Sequence, residues 1–75
     1  MIREHQRIVL TAEVPEEKLK AGDIGTVVHI HGQGEAFEVE IIALNGDTVT
    51  VVTLPAGKIR PIAEKEIPHA RHLAG

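Results

Sequence analysis

The chain has no cysteine, no tryptophan, no tyrosine and no serine, and its only aromatic residue is Phe37. Without cysteine there are no disulfides and no thiolate chemistry, which suits a reducing compartment. Without serine, cysteine or tyrosine, the commonest nucleophiles are missing, so a covalent catalytic mechanism has little to start from. One aromatic ring cannot build the stacking platforms that hold unpaired bases. Nor can it line the groove that grips a polyproline ligand. No apolar run approaches the roughly 18 residues that span a bilayer. The first residues, MIREHQRIVLTAEV, carry charges and contain no apolar stretch of leader length. The cytoplasm is the expected location.

What is present is a small, aliphatic domain. The 75 residues are 43% hydrophobic and 25% charged, with a net charge of −3 and five histidines. That composition is globular rather than disordered. A domain this short is marginal alone unless it packs well or associates. β-Branched residues crowd positions 24–54, which favours strands. The acidic balance repels phosphates and argues against nucleic acid as the main partner.

Alternation predicts five short strands. Residues 7–14, RIVLTAEV, form the first, with Ile8, Leu10 and Ala12 on one face. Pro15 ends it, and a polar loop follows whose Leu19 tucks under the core. Gly22 and Gly25 frame a sharp turn that calls for positive φ. Strands over 26–31 and 36–44 flank the four-residue loop Gly32-Gln33-Gly34-Glu35. That register sets Ile30 opposite Phe37, Val28 opposite Val39 and Thr26 opposite Ile41, an apolar face. His29 and Val27 then oppose Glu38 and Glu40 on the other. Asn45-Gly46 predicts a tight hairpin. A two-residue turn sets Val52 against Val39 and Leu54 against Phe37, leaving Ile42, Val49 and Val51 outside. A three-residue loop with a bulge at Asp47 reverses the fourth strand's faces. Pro55-Ala56-Gly57-Lys58 reads as a 3₁₀ step before a last strand over 59–62, which Pro61 confines to an edge. The expected architecture is mainly β, a five-stranded SH3-like partly open barrel over residues 1–62. A C-terminal tail over 63–75 is docked through Ile67 and Leu73, or frayed.

The stretch Ile8–Ile62 resembles a family of small bacterial domains known as domain-of-unknown-function family 4926. The residues that carry the resemblance are Val9-Leu10-Thr11, Leu19 through Val28 with its Gly-Asp-Ile-Gly-Thr-Val-Val block, Glu35-Ala36-Phe37-Glu38-Val39-Glu40, Val49, Val51 through Pro55, and Arg60-Pro61. The resemblance implies an SH3-like barrel and no particular activity. The Gly22-Asp23-Ile24-Gly25-Thr26-Val27 step also looks like the KOW motif of ribosomal and elongation-factor domains. That likeness keeps a nucleic-acid-binding module as the alternative, as genomic habit keeps an antitoxin-like partner of a neighbouring gene product.

Candidate sites are few. His29 and His31 point the same way on one strand with Glu38 across from them, a donor set suited to zinc or nickel. Read as an exposed cross-strand pair it needs no ion, so no metal or other cofactor is expected. His69 and His72 share a face only if the tail is helical. Glu38 and Glu40 lie about 7 Å apart by strand geometry. On an open face, with nothing to exclude water, they read as solvated residues rather than an acid–base pair. Lys18, Lys20, Lys58 and Arg60 form a candidate basic patch where the first loop meets the turn after the fourth strand. Ile42, Val49 and Val51 form a candidate interaction surface. The resulting expectation is a non-catalytic, cytoplasmic protein-interaction module that self-associates.

Overall fold

The computed structural model describes residues 1–73. Its strands are β1 (Arg7–Leu10), β2 (Ile24–His31), β3 (Ala36–Ile42), β4 (Thr48–Pro55) and β5 (Ile59–Pro61). They form one antiparallel sheet in the order β4-β3-β2-β1-β5. Two 3₁₀ turns, Pro15–Glu17 and Ala56–Lys58, punctuate it, and there is no α-helix among the described residues. The mainly-β, five-stranded architecture expected from the alternation is the one that forms. The sheet does not close into a barrel, because no ladder joins β4 to β5. Yet the 3₁₀ turn Ala56–Lys58 links these two opposite edges directly, so the sheet must curl until they approach.

The core is the concave side of that curl. Ile8 and Leu10 of β1, Val27 of β2, Phe37, Val39 and Ile41 of β3, Leu54 of β4 and Ile59 of β5 meet there. Val14 and Leu19 join them from the first loop. Leu19 is brought in by a local device. Pro15 starts the 3₁₀ turn, Lys18 takes a left-handed conformation, and Val14 and Leu19 bond across the closed loop. The result leaves Leu19 only 1% exposed, worth about 1.5–3 kcal/mol for a fully buried leucine. Phe37 faces inward against Ile30, as the register required.

Two bulges correct the expected registers. Between His29 and His31 the pairing with β3 is as expected, with Ile30 opposite Phe37 and His29 opposite Glu38. Below that point Val27 pairs Val39 and Thr26 pairs Glu40, so Val28 is an extra residue. Val28 therefore does not oppose Val39, Thr26 does not oppose Ile41, and Val27 is fully buried rather than outside. A bulge accommodates one surplus residue and bends the strand. In the β3–β4 hairpin, Ala43 N–H donates to Asp47 O and Gly46 N–H to Ala43 O, enclosing a three-residue loop with Gly46 at φ +98°. The surplus residue is absorbed at Val49 instead of Asp47, since Thr48 pairs Ile42 and Thr50 pairs Ile41. From Thr50 onward the register equals that of the two-residue turn, with Leu54 on Phe37 and Val52 on Val39.

The two glycines at the start of β2 do different jobs. Gly22 sits at φ +96°, where an L side chain is strained. Gly25 does not have positive φ. A Cβ there would lie 2.3 Å from Val39 Cγ1 and 2.9 Å from Ile41 Cδ1, so absence of a side chain is what lets β2 approach β3. β1 is shorter than the alternation suggested and ends at Leu10. Beyond it, Thr11 N–H donates to Lys58 O.

Candidate functional site

Three features on the outer side of the sheet carry chemistry. The first stands at the end of the β2–β3 hairpin. Strand alternation puts His29 and His31 on the outer face, and register puts Glu38 opposite His29 and Ala36 opposite His31. Glu38 leans diagonally, so that Nε2 of His31 lies 2.9 Å from Oε2 of Glu38, a hydrogen bond the carboxylate accepts. The two imidazole rings meet edge to face with centroids 4.7 Å apart. One ligand atom from each of His29, His31 and Glu38 falls within 4.8 Å of the other two. The N-terminal segment adds a carboxylate, with Glu4 Oε2 at 3.9 Å from Nδ1 of His29. It is held there by His5 N–H donating to Val27 O across β2. These side chains are roughly half exposed. As a bare polar pair, such a contact stabilises by only about 0.2–1 kcal/mol.

The second feature is the contrast between the sheet's two edges. β5 is three residues long and carries Arg60 and Pro61, which are the usual guards against strand addition. β4 is eight residues long, TVTVVTLP, with no charged residue and its only proline at the end. Its outward side chains Val49 and Val51 are 38% and 51% exposed, and Ile42 beside them is 46% exposed. All three residues of the candidate interaction surface are thus exposed.

The third feature is the C-terminal segment. It has no regular structure and runs past Gly22, Ile24 and Ile42 on the outer side. Arg71 anchors it. Its Nε–H donates to Asp23 Oδ1 at 2.8 Å, and Nη2 donates to Asp23 Oδ2 and to Lys18 O. Asp23 also accepts the Lys20 N–H. Partial burial raises the Asp23 pKa, but the Arg71 fork, the Lys20 amide and the two cations outweigh it and hold the carboxyl below its ordinary value. Nearer the sheet, Arg60 forks onto Glu66, which also accepts the Ala63 N–H. The Arg60 bonds, followed by the Ala63 amide, pull Glu66 down to about 2. Of the two expected apolar anchors, Ile67 is 86% exposed, whereas Leu73 is partly buried near Leu19 and Ile41; docking combines this contact with the two ion pairs. The last two residues of the 63–75 tail lie outside the described residues.

The loops bearing Lys18, Lys20 and Lys58 approach one end of β1, where Gly22 N–H bonds Leu10 O and Thr11 N–H bonds Lys58 O, while Arg60 stands on β5 opposite Val9. Two of these charges are offset locally: Asp23 sits beside Lys20, and Arg60 is engaged by Glu66. Reading the sequence missed Glu4 and the Arg71–Asp23 clamp. Asp23 read as turn chemistry, and nothing in spacing links residues 48 positions apart. No helix of the described residues is long and apolar enough to cross a membrane.

Residues 4–61 match the family described as a domain of unknown function (DUF4926). The match covers most of the chain, and the chain belongs to that family. The resemblance read over Ile8–Ile62 is borne out, and the tail lies beyond the matched segment. Comparison with curated proteins and with solved structures gives no match.

Proposed function

We propose that this DUF4926 domain is a non-catalytic, cytoplasmic contact module that self-associates by pairing β4 with β4 of a second copy. One observation carries the reading: a long, neutral, valine-rich edge strand stands opposite a short edge guarded by arginine and proline. An unguarded edge is a template for strand addition. Antiparallel self-pairing about a two-fold axis is the simplest closed solution, because the same surface serves both copies. β4 itself carries no charged residue; the nearby carboxylates of Glu40 and Glu17 are engaged by the hydroxyls of its Thr48 and Thr50. Pairing would also unite the Ile42, Val49 and Val51 faces of both copies into one apolar strip. The nucleic-acid alternative is disfavoured because two of the four patch cations, Lys20 and Arg60, lie beside carboxylates and the chain is acidic overall.

The test is light scattering across a concentration series on the native chain and on the Val49→Lys/Val51→Lys variant. Both sites are exposed, so the variant should fold. The native chain should be a dimer and the variant a monomer with an unchanged circular dichroism spectrum. A native chain that stays monomeric at high concentration, or a doubly charged variant that remains dimeric, overturns the reading.

A further inference from the structure

We propose that His29, His31 and Glu38 form a binding site for one divalent transition-metal ion, zinc by donor chemistry. Two imidazole nitrogens and one carboxylate oxygen already lie within 4.8 Å of one another. A tetrahedral ion with bonds of about 2.0–2.1 Å holds its ligands roughly 3.3–3.5 Å apart. The difference is about 1.5 Å or less, within the reach of side-chain rotation. The framework is rigid for a surface site. All three residues project from paired strands, and His31–Ala36 is the last rung before the hairpin loop. The set is N₂O, which suits zinc and its neighbours in the transition series and suits calcium or magnesium poorly.

Charge favours the same conclusion. Glu38 brings one negative charge into contact, and Glu4 holds a second beside His29. Together they balance a divalent cation. Three protein ligands leave the fourth position open to water or to a donor from another molecule, the arrangement of an accessible site rather than a sealed structural one. This site lies at the hairpin end of β2 and β3; Glu38 pairs Thr53 of β4, but β4 supplies none of the three ligands, and the site does not depend on self-association.

The test is calorimetric titration of chelator-stripped, untagged protein with zinc chloride, repeated with cobalt chloride to read visible absorption. One ion per chain should bind, and cobalt should show the intense bands of a tetrahedral site. His31→Ala and Glu38→Ala should each weaken binding at least about 100-fold, the upper end of what even a supporting partner costs. His31 and Glu38 are partly exposed and the tail histidines exposed, and circular dichroism checks the folding of each variant. His69→Ala/His72→Ala should bind as the native chain does. Absence of saturable binding overturns the proposal. So does binding that survives His31→Ala, or that vanishes when only the tail histidines are replaced.

Discussion

Replacing Gly25 by alanine should cost more than any other single methyl added to this sheet. Gly25 is buried and pairs Ile8 across β1, while its open side faces β3. The added Cβ would meet Val39 Cγ1 at 2.3 Å, Ile41 Cδ1 at 2.9 Å and the Glu40 carbonyl oxygen at 3.2 Å. Ile41 can swing its terminal methyl aside. Val39 cannot, because it is fully buried and β-branched, and Glu40 O belongs to backbone paired with Thr26. Overpacking of this kind costs about 1–3 kcal/mol. A domain of this length has roughly 4–11 kcal/mol in total, so the loss is easily seen. With a urea slope near 1 kcal/mol/M for so small a domain, the midpoint should fall by about 1–3 M. Far-ultraviolet circular dichroism must serve as the probe, since the chain has no tryptophan or tyrosine to fluoresce. Two controls separate crowding from backbone effects. Gly22→Ala meets no atom within 4 Å but sits at φ +96°, and should cost about 1 kcal/mol through strain alone. Gly57→Ala meets nothing and has no unusual φ, so it should be neutral or stabilise by about 0.4–1 kcal/mol. A Gly25→Ala midpoint indistinguishable from that of Gly57→Ala would refute the close approach of β2 to β3.

Arg71→Ala should release the C-terminal segment without unfolding the sheet, so trypsin should cleave after Lys65 several-fold faster while far-ultraviolet dichroism stays unchanged; equal cleavage rates would show that the clamp does not hold the segment. Acid should act on the same segment. Asp23 and Glu66 both have folded pKa values below their ordinary range, so their contribution is complete above about pH 4.5 and is lost as pH falls through the folded values. The Ala63 amide, which donates to Glu66, should keep its chemical shift at pH 4 and change with a midpoint near 2; a midpoint in the usual glutamate range would mean that the Arg60 fork is not formed in solution.

The strands, the inward Phe37 and the buried Leu19 were legible because each depends on local chemistry: alternation, a proline stop, a glycine pair at a bend. The bulges were not. At Val28 the strand reads valine on both sides of the slip, so hydrophobic pattern cannot say which valine is core. At Asn45-Gly46 the sequence leaves a two-residue and a three-residue loop open; the three-residue loop forms, and β4 takes the register of the two-residue turn because the surplus residue falls at Val49 rather than Asp47. Gly25 was recognised as special for the wrong reason, since a steric need on a neighbouring strand leaves no mark in φ preference. The histidine cluster was legible as a set, because two residues of a strand and their cross-strand partner must share a face. The diagonal lean of Glu38 and the arrival of Glu4 depend on side-chain reach and on where the N-terminus settles. Arg71 and Asp23 meet only because the segment crosses the sheet, which no local rule encodes.

β3 is flanked on both sides by a strand carrying one residue too many, Val28 on β2 and Val49 on β4. A layer of polypeptide with nothing stacked upon it has no interior unless it rolls, and these two surplus positions shorten one surface relative to the other much as a dart shapes cloth. Shape here is therefore written in chain length as much as in side-chain chemistry. Swapping either valine for another aliphatic residue should leave the curvature alone, whereas excising one would flatten the cup that shelters Phe37.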